Sequence, residues 1–399
     1  MPESPADDVE HGPDAPAPSR RPPTWLLLLG AYALTRLAVL AATAVVAALD
    51  LRGARCGYAV PRPIEGLAAL SRCWDTRWFV ETATAWYPAT LPADGEQTTL
   101  AFFPAYPALV AAVHALGVPA AGAAVAVSLV LGGLATLGVW RLARRVAPED
   151  VAVRAAVLFC CFPGAVVLSW GYSEALAAAL VAACLVALHS HRWLLAGLAA
   201  AAGSATRLDV GLGLLVATAA AAVLAWRRDG DRRAPVAPLL APLGAVAFWV
   251  FLWNRTGSPR AWPVAQDRGW DQHMDFGTHA VNTVARVLAH PFRSPTSVVQ
   301  LLAILALAAG LAALARWAGR VPREAAVPWV GYTAVMLAVM LASNQVGFRP
   351  RALLLLLPVF VAAAAGLPRT AAAWTAGAFA VAQVLLLVLY LGASLIFPP

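Results

Sequence analysis

The sequence contains no lysine and few charged residues of any kind. Charged side chains make up 13% of its 399 residues, whereas soluble globular proteins carry roughly a quarter. The fixed positive charges are therefore all arginines. Because 61% of the residues are apolar and the mean hydropathy is +0.70, a soluble globule is excluded and the composition predicts a polytopic membrane protein.

The sequence also lacks a glycine-rich phosphate-binding loop and a dinucleotide-binding fingerprint. ATP-driven transport and chemistry on nucleotide sugars therefore have no recognisable site. The net charge of +8 could suggest a nucleic-acid partner. However, the arginines occur in short clusters between apolar runs, as they do in the cytoplasmic loops of membrane proteins, so we expect no nucleic-acid partner.

Cysteine is sparse, with five residues in the whole chain. Cys160, Cys161 and Cys184 fall inside apolar runs, where we expect them to act as small apolar residues. Cys56 and Cys73 fall in the same predicted external loop. Since that compartment is oxidising, the two could form a disulfide.

Potential metal ligands are concentrated in one stretch, from Asp271 to His279. Its spacing fits no strong ligand pattern. The alternatives are a loop that contacts an acceptor through Trp262 and Trp270 or a loop with no chemical role. We therefore predict no metal and no other cofactor.

Apolar runs separated by arginine clusters determine the predicted topology. Residues 1–23 are rich in proline, aspartate and alanine, which predicts a disordered cytoplasmic tail. The run Trp25–Leu49 is long enough to cross a bilayer and is too long for the core of a signal peptide. Residues 24–399 are then one transmembrane domain, an all-α bundle of about 11 membrane-spanning helices.

The run Ala101–Leu116 contains two prolines and a histidine, and we interpret it as an outer-face or re-entrant helix. This interpretation places the arginine clusters at 141–145 and 227–233 on the cytoplasmic side, as the positive-inside rule requires. Large loops at about 50–121 and 254–296 are then extracytoplasmic. The later predicted spans are Ala123–Trp140, Val151–Leu168, Ala175–Leu188, Trp193–Ala205, Val210–Trp226, Pro235–Trp253, a run ending at Ala315, Ala325–Leu341, Ala352–Gly366 and Ala371–Ile396.

Under this topology, polar groups from separate parts of the chain collect at the outer ends of the helices. They are Asp75, Tyr172–Glu174, Thr206–Asp209 and Arg349. Ionisable groups at membrane depth are costly unless they are paired or solvated, so this convergence predicts a functional site. Each group could instead cap a helix, although no helix cap requires an arginine such as Arg207.

Asp75 is the candidate catalytic residue because it lies among Trp74, Trp78 and Phe79. Partial desolvation in such surroundings would make its carboxylate a better base. Alternatively, Asp75 caps a short helix and the tryptophans mark the membrane interface.

Arg36 lies near the middle of the first predicted span. Burial of an arginine there costs about 2.5–3.5 kcal/mol on insertion scales, so it needs a partner. One interpretation is an internal ion pair with Glu174 or Asp209, and the other is contact with a lipid phosphate.

Four sequence blocks, in this order, resemble the PIG-V family of mannosyltransferases, membrane enzymes of the GT-C class. They are WDTRWF (74–79), AFFPAYP (101–107), FPGAVVLSWGYSEA (162–175) and AGLAAAAGSATR (196–207). The resemblance covers Trp25 to about Pro358, and the arginine-only, alanine-rich composition points to a bacterial homologue. It implies transfer of mannose from a polyprenyl-phosphate carrier to an acceptor on the non-cytoplasmic face, with Asp75 as the catalytic residue.

The chemistry of the residues agrees with that expectation. A lipid-phosphate leaving group needs cations at headgroup depth, and the acceptor hydroxyl needs one carboxylate base. A single displacement would invert the sugar carbon. We expect the chain to be a multi-pass cell-membrane hexosyltransferase whose partners are the polyprenyl-phosphate donor, a lipid or glycan acceptor and membrane lipids. The predicted substrate-binding residues are Trp74, Trp78, Arg207, Arg349, Tyr172, Glu174 and Arg36.

Two other functions fit a polar site inside a helical bundle. A lipid-linked-sugar flippase or transporter would show internal repeats and polar residues at the membrane midplane, and neither pattern is evident. A non-catalytic polytopic subunit would not need Asp75 and Arg207 together.

Overall fold

The computed structural model describes residues 22–49, 74–345 and 347–392. Most of the predicted tail lies outside these ranges. Cys56 and Cys73 lie outside them as well, so their disulfide stays a prediction.

The described residues form an all-helical bundle, with an isolated bridge between Met274 and Ser343 as the β-type pairing found among them. The first nine α-helices are α1 Thr24–Ala48, α2 Asp75–Ala85, α3 Ala105–His114, α4 Ala120–Ala143, α5 Glu149–Cys161, α6 Glu174–His189, α7 Trp193–Ser204, α8 Leu208–Asp229 and α9 Val236–Leu240. The other eight are α10 Leu243–Thr256, α11 Ala261–Trp270, α12 Thr278–Ala289, α13 Pro295–Ala318, α14 Arg323–Ala342, α15 Pro350–Leu354, α16 Leu357–Gly366 and α17 Arg369–Gly392. Short 3₁₀ helices cover Thr99–Ala101 and Pro163–Ser169.

By length and composition, seven helical segments in the described ranges could cross a membrane, or eight if one bent pair is counted as a span. The chain is therefore a multi-pass membrane protein. The seven coincide with seven of the predicted spans, and α9 and α10 together form one of them. The predicted count of about 11 is not confirmed, because α6, α7 and α16 are shorter than a full crossing.

The predicted span Val151–Leu168 is broken. Helix α5 ends at Cys161, and the following 3₁₀ helix is bent from it by 72°. Pro163 explains the break, since proline disfavours helical backbone at the residue before it, and Phe162 has φ −54° and ψ 138°. The second half of the predicted span is therefore a separate segment, Pro163–Ser169, that does not continue α5.

The second predicted outer loop is not irregular, because it contains helices α11 and α12. Helix α11 packs on the 3₁₀ helix Thr99–Ala101, where Trp262 Nε1 and Gln266 Nε2 both donate to the carbonyl oxygen of Ala101 at 3.1 Å. The two predicted outer loops are thus packed against each other. The apolar cluster between them includes Tyr87, Leu100 and Phe103 of the first loop and Ala261 and Ala265 of the second.

Arg36 of α1 is 3% exposed and has neutral hydrogen-bond partners throughout the described ranges. It donates to Gln383 Oε1 at 2.7 Å, to the carbonyl oxygen of Cys160 at 3.1 Å and to that of Ala165. These carbonyls lie on either side of the break at Pro163, where regular helical hydrogen bonding is interrupted. The guanidinium therefore supplies donors that the broken helix lacks.

The ion pair expected between Arg36 and Glu174 or Asp209 is not found among the described residues, where both acids bind Arg207 and the Arg36 guanidinium binds neutral groups. The alternative, contact of Arg36 with a lipid phosphate, stays a prediction.

Candidate active site

Three helix N-termini that carry acidic residues meet at one place. Asp75 is in the first turn of α2, Glu174 is the first residue of α6, and Asp209 is in the first turn of α8. The positive end of a helix dipole favours an acid at each of these positions. The dipoles account for the three carboxylates but not for the arginines among them.

Two arginines link these acids into one network of ion pairs. Arg351 Nη1 lies 2.6 Å from Asp75 Oδ2, and Arg351 Nε lies 3.8 Å from Glu174 Oε1. Arg207 Nη1 lies 2.9 Å from the same Glu174 oxygen and also binds Asp209. Four separate segments of the chain thus meet through charged side chains.

Arg207 is the most completely engaged member of the network. Its Nε and Nη2 atoms bind the two oxygens of Asp209 at 3.0 and 2.9 Å, and Nη1 binds Glu174. This two-pronged geometry is the strong form of an arginine–carboxylate pair. To hold a phosphate, as predicted, Arg207 would have to release a carboxylate, and that role stays a prediction.

Glu174 joins the two arginines from a fully buried position. Its side chain is 1% exposed, and Oε1 is shared by Arg207 and Arg351. Its other oxygen, Oε2, is buried without a hydrogen-bond partner among the described residues. A buried acid of this kind depends on its arginines, because an unpaired charge in such a position is very costly.

Asp75 does not cap α2, since the N-cap residue is Trp74 and no side chain caps the helix there. Its carboxylate instead points to Arg351 and is 23% exposed. The backbone N–H of Asp75 donates to the hydroxyl oxygen of Tyr172 at 3.3 Å. Asp75 is therefore held by its backbone while part of its carboxylate remains accessible.

The backbone at both ends of α2 is unusual. Trp74 has φ +48° and Trp86 has φ +64°, a region that side-chain-bearing residues rarely adopt. Conformations of this kind cost about 1–3 kcal/mol each and cluster at functional sites. Their presence on either side of the helix that begins with Asp75 supports a functional role for it.

The tryptophans predicted to bind substrate, Trp74 and Trp78, face protein neighbours. Trp74 stacks on Trp170 with ring centroids 5.0 Å apart, and Trp78 packs edge-on against Trp270 at 5.5 Å. Trp86, at the far end of α2, is 42% exposed. The aromatic surroundings expected for Asp75 are present, while contact of Trp74 or Trp78 with a sugar stays a prediction.

Tyr172 is completely buried, and its ring lies under the guanidinium of Arg351, 5.3 Å from the centroid to Cζ. It therefore contacts both members of the Asp75–Arg351 pair. In this structure Tyr172 supports the pair, and direct substrate binding by it stays a prediction.

Arg351 was missed by sequence reasoning, which chose Arg349 from the segment GFRPR. Pro350 begins the short helix α15 and separates the two arginines. Arg349 is half-buried and interacts electrostatically with Asp75, Tyr172 and Arg351, so it belongs to the same cluster. The available signal for considering both was the sequence Arg-Pro-Arg, in which an arginine lies on each side of Pro350.

Two glycines let the segment before α6 approach both halves of the pair. A Cβ on Gly171 would lie 2.5 Å from Thr76 Cγ2, next to Asp75. A Cβ on Gly164 would lie 2.1 Å from the carbonyl oxygen of Pro350, next to Arg351. The segment 164–171 therefore packs closely against the neighbours of both Asp75 and Arg351, and a larger residue at Gly164 or Gly171 would shift one of them.

The loop considered for metal binding brings Asp267, Asp271 and His273 within 4.8 Å of one another. All three side chains are at least half exposed. Asp275 has a structural role, since it accepts hydrogen bonds from the backbone N–H groups of Gly277 and His279 at the start of α12. Three exposed groups at this spacing do not by themselves indicate a metal centre.

Comparison with known proteins gives a structural likeness without a sequence match. No protein-family model and no curated protein matches the sequence. The oligosaccharyltransferase of Archaeoglobus fulgidus, crystallised with a tethered acceptor peptide containing the NVT sequon, superposes with a TM-score of 0.51 and 13% identity. The match covers 94% of this chain and 56% of that chain.

A crystal structure of the same oligosaccharyltransferase in complex with Zn and sulfate gives a TM-score of 0.51 and 14% identity, covering 92% of this chain and 53% of that chain. The present chain thus spans about half the length of the protein it resembles. At this level of identity the likeness concerns the fold alone. The chain has a GT-C-like fold, the fold class of that oligosaccharyltransferase.

Proposed function

We propose that this protein is a membrane glycosyltransferase that moves a hexose from a polyprenyl-phosphate carrier to a lipid or glycan acceptor on the extracytoplasmic face. The observation that carries the proposal is the 2.6 Å pair of Asp75 and Arg351, a partly accessible carboxylate beside a guanidinium inside an apolar helical bundle. Both parts that such a transfer requires are present, namely a base for the acceptor and a cation for the phosphate.

The transfer needs one displacement. The acceptor oxygen forms a bond to the anomeric carbon, Asp75 takes the hydroxyl proton, and the bond from carbon to the phosphate oxygen breaks. The electron pair goes to the phosphate oxygen, whose developing charge is stabilised by arginine. A single displacement of this kind inverts the sugar carbon.

The GT-C-like fold supports sugar transfer over transport, and the four sequence blocks that resemble the PIG-V family support mannose as the sugar. The proposal needs no metal ion or other cofactor, since the lipid phosphate is already an activated leaving group. The acceptor is kept as a class, a lipid or a glycan.

The test uses the full chain, purified and reconstituted in lipid nanodiscs, with polyprenyl-phosphate mannose and a lipid extract as the acceptor. We expect radiolabelled mannose to enter a product with a new glycosidic bond. Asp75→Asn should lower the turnover by about 10²–10⁴-fold. Glu81→Gln is the matched control, because Glu81 is an exposed acid of the same helix, 4.0 Å from Arg77.

Two results would contradict the proposal. One is normal turnover by Asp75→Asn. The other is movement of the donor lipid across the bilayer of proteoliposomes without any new glycosidic bond, which is the behaviour of a flippase.

A further inference from the structure

In the proposed transfer, the charge of Asp75 and the charge of the departing phosphate change at the same step, and the following inference rests on that proposed function. We propose that Arg351 exchanges Asp75 for the donor phosphate in each turnover. The ion pair then couples removal of the acceptor proton to departure of the lipid phosphate.

The hydrogen bonds of the two arginines make Arg351 the better phosphate ligand. Arg207 uses Nε, Nη1 and Nη2 on two carboxylates at 2.9–3.0 Å. Among the described residues, the close polar contact of Arg351 is from Nη1 to Asp75, and its Nε is 3.8 Å from Glu174. Since a guanidinium has five N–H donors, Arg351 retains donors for a further anion within the part of the chain that the structure describes.

The charges in the network make the exchange favourable at one particular step. Asp75, Glu174 and Asp209 face Arg207 and Arg351, with Arg349 close enough to interact electrostatically. When Asp75 accepts the acceptor proton, it loses its negative charge. At the same step the phosphate gains one, so the total charge of the site is unchanged while the strongest anion near Arg351 changes from Asp75 to the phosphate.

The covalent changes balance. The acceptor oxygen–carbon bond forms, the carbon–oxygen bond to the phosphate breaks, and its electron pair stays on the phosphate oxygen. The proton moves from the acceptor hydroxyl to the Asp75 carboxylate. Neutral Asp75 then no longer attracts Arg351 as an ion, and the guanidinium is free to bind the doubly charged phosphate monoester.

The supports of the pair allow this movement. Tyr172 accepts the backbone N–H of Asp75, so the main chain at Asp75 is held independently of its carboxylate. Arg351 keeps Glu174 as a second nearby anion when it leaves Asp75.

A binding experiment tests the exchange without turnover. The probe is a polyprenyl monophosphate, the lipid product of the proposed reaction, and its affinity for the full chain in nanodiscs is measured. We expect Asp75→Asn to bind it about tenfold more tightly than wild type, since a competing anion is removed, within the roughly 5–150-fold range of coupled sites. Arg351→Gln should bind it about tenfold more weakly, and the double variant should behave like Arg351→Gln.

Arg77→Gln is the matched control, because Arg77 is 39% exposed and outside the network, and its affinity should equal that of wild type. Thermal unfolding checks that each variant is folded. If Arg351→Gln does not fold, Arg351→Lys takes its place. Lysine keeps the charge but makes a weaker contact with the phosphate, so it should still remove most of the increase in affinity that Asp75→Asn gives.

Two results would contradict the proposed exchange. One is an Asp75→Asn variant whose affinity for the polyprenyl monophosphate equals that of wild type. The other is a double variant that keeps the tighter binding of Asp75→Asn although Arg351 is replaced. A different result would overturn the proposed function itself, namely a wild-type protein that binds the polyprenyl monophosphate no better than the uncharged polyprenol. The two failures are therefore distinguishable in one set of measurements.

Discussion

Asp75 and Arg351 are 276 positions apart in the sequence and 2.6 Å apart in the structure. The acid begins helix α2 and the arginine lies in the first turn of α15, so the pair exists only when the bundle has closed. The buried 3₁₀ segment between Gly164 and Gly171 touches both sides of this contact. The geometry of the candidate site is thus a property of the tertiary packing and of no single loop.

Replacement of Arg207 should act first on stability. In Arg207→Ala, Glu174 loses its 2.9 Å partner while it remains 1% exposed, and Asp209 loses both of its hydrogen bonds to arginine. Removal of one partner of a buried pair costs about 3–5 kcal/mol. We expect a large drop in the thermal unfolding temperature in detergent.

Arg77→Ala is the control for Arg207, since exposed pairs contribute about 0–1 kcal/mol. Arg207→Lys keeps the charge but cannot bind both oxygens of Asp209 through a planar fork, so its unfolding temperature should lie between the other two. Equal unfolding of Arg207→Ala and wild type would refute the role given to this arginine.

A methyl group on Gly164 should disrupt the site. The Cβ of Gly164→Ala would lie 2.1 Å from the carbonyl oxygen of Pro350, and a backbone atom cannot move aside without shifting α15. We expect loss of sugar transfer and a lower unfolding temperature. Gly30→Ala is the matched control, because nothing lies within 4 Å of its added Cβ and alanine is the better helix former.

If Gly164→Ala transferred sugar at the same rate as Gly30→Ala, sugar transfer would not depend on the position of Arg351 relative to the Pro163–Ser169 segment. The close packing at Gly164 would then have no role in activity.

Arg36 should behave as a structural residue. Arg36→Met keeps the apolar stem but removes the arginine donor from the carbonyl of Ala165 and from Gln383 Oε1, while the carbonyl of Cys160 keeps Gln383 Nε2 at 3.3 Å. Each buried polar group left unsatisfied costs about 1–3 kcal/mol. We therefore expect reduced stability, with an unchanged KM for the lipid donor in whatever fraction of the protein remains folded. A raised KM at normal stability would instead favour the substrate-binding role predicted from the sequence.

The long spans could be predicted from the sequence because the bilayer imposes a length that a run of apolar residues reports directly. Glu174, Arg207 and Asp209 were identified as one group because charges at membrane depth need partners, and the structure brings them together. Arg351 was not predicted as a site residue, since its contact with Asp75 depends on packing between segments far apart in the chain. The break of the predicted span at Pro163 was also not predicted. The proline is present in the sequence, but hydropathy carries no information on backbone angles.

Asp231 should make stability depend on pH at one loop. The backbone N–H of Arg233 and the indole N–H of Trp193 donate to its carboxylate at 2.9 and 2.6 Å, and these hydrogen bonds hold its pKa below the usual value. Since the folded pKa is the lower one, the stabilisation is present above the unfolded pKa of about 3.9 and is lost as the pH falls through the folded pKa. We expect Asp231→Asn to unfold at a lower temperature than wild type at neutral pH, with the difference shrinking toward pH of about 3.

Asp229→Asn is the control for that loop, because Asp229 is exposed and pairs with Arg228 at 3.4 Å. A difference between wild type and Asp231→Asn that stays constant from neutral to acidic pH would exclude the hydrogen-bonded carboxylate as its cause.

The orientation of the bundle is predicted by the arginine clusters and can be measured in intact cells. The cluster at 227–233 should be cytoplasmic, and Asp94, in the segment that follows α2, should be extracytoplasmic with the candidate site.

In a background with Cys56 and Cys73 replaced by serine, single cysteines are introduced as Asp94→Cys and Arg232→Cys, at positions whose side chains are exposed. Cys160, Cys161 and Cys184 are buried and should give little background. A membrane-impermeant maleimide should label the first variant in intact cells and the second only after permeabilisation. Labelling of Arg232→Cys from outside would invert the topology and place the Asp75–Arg351 pair on the cytoplasmic face, where a donor carried in the outer leaflet could not reach it.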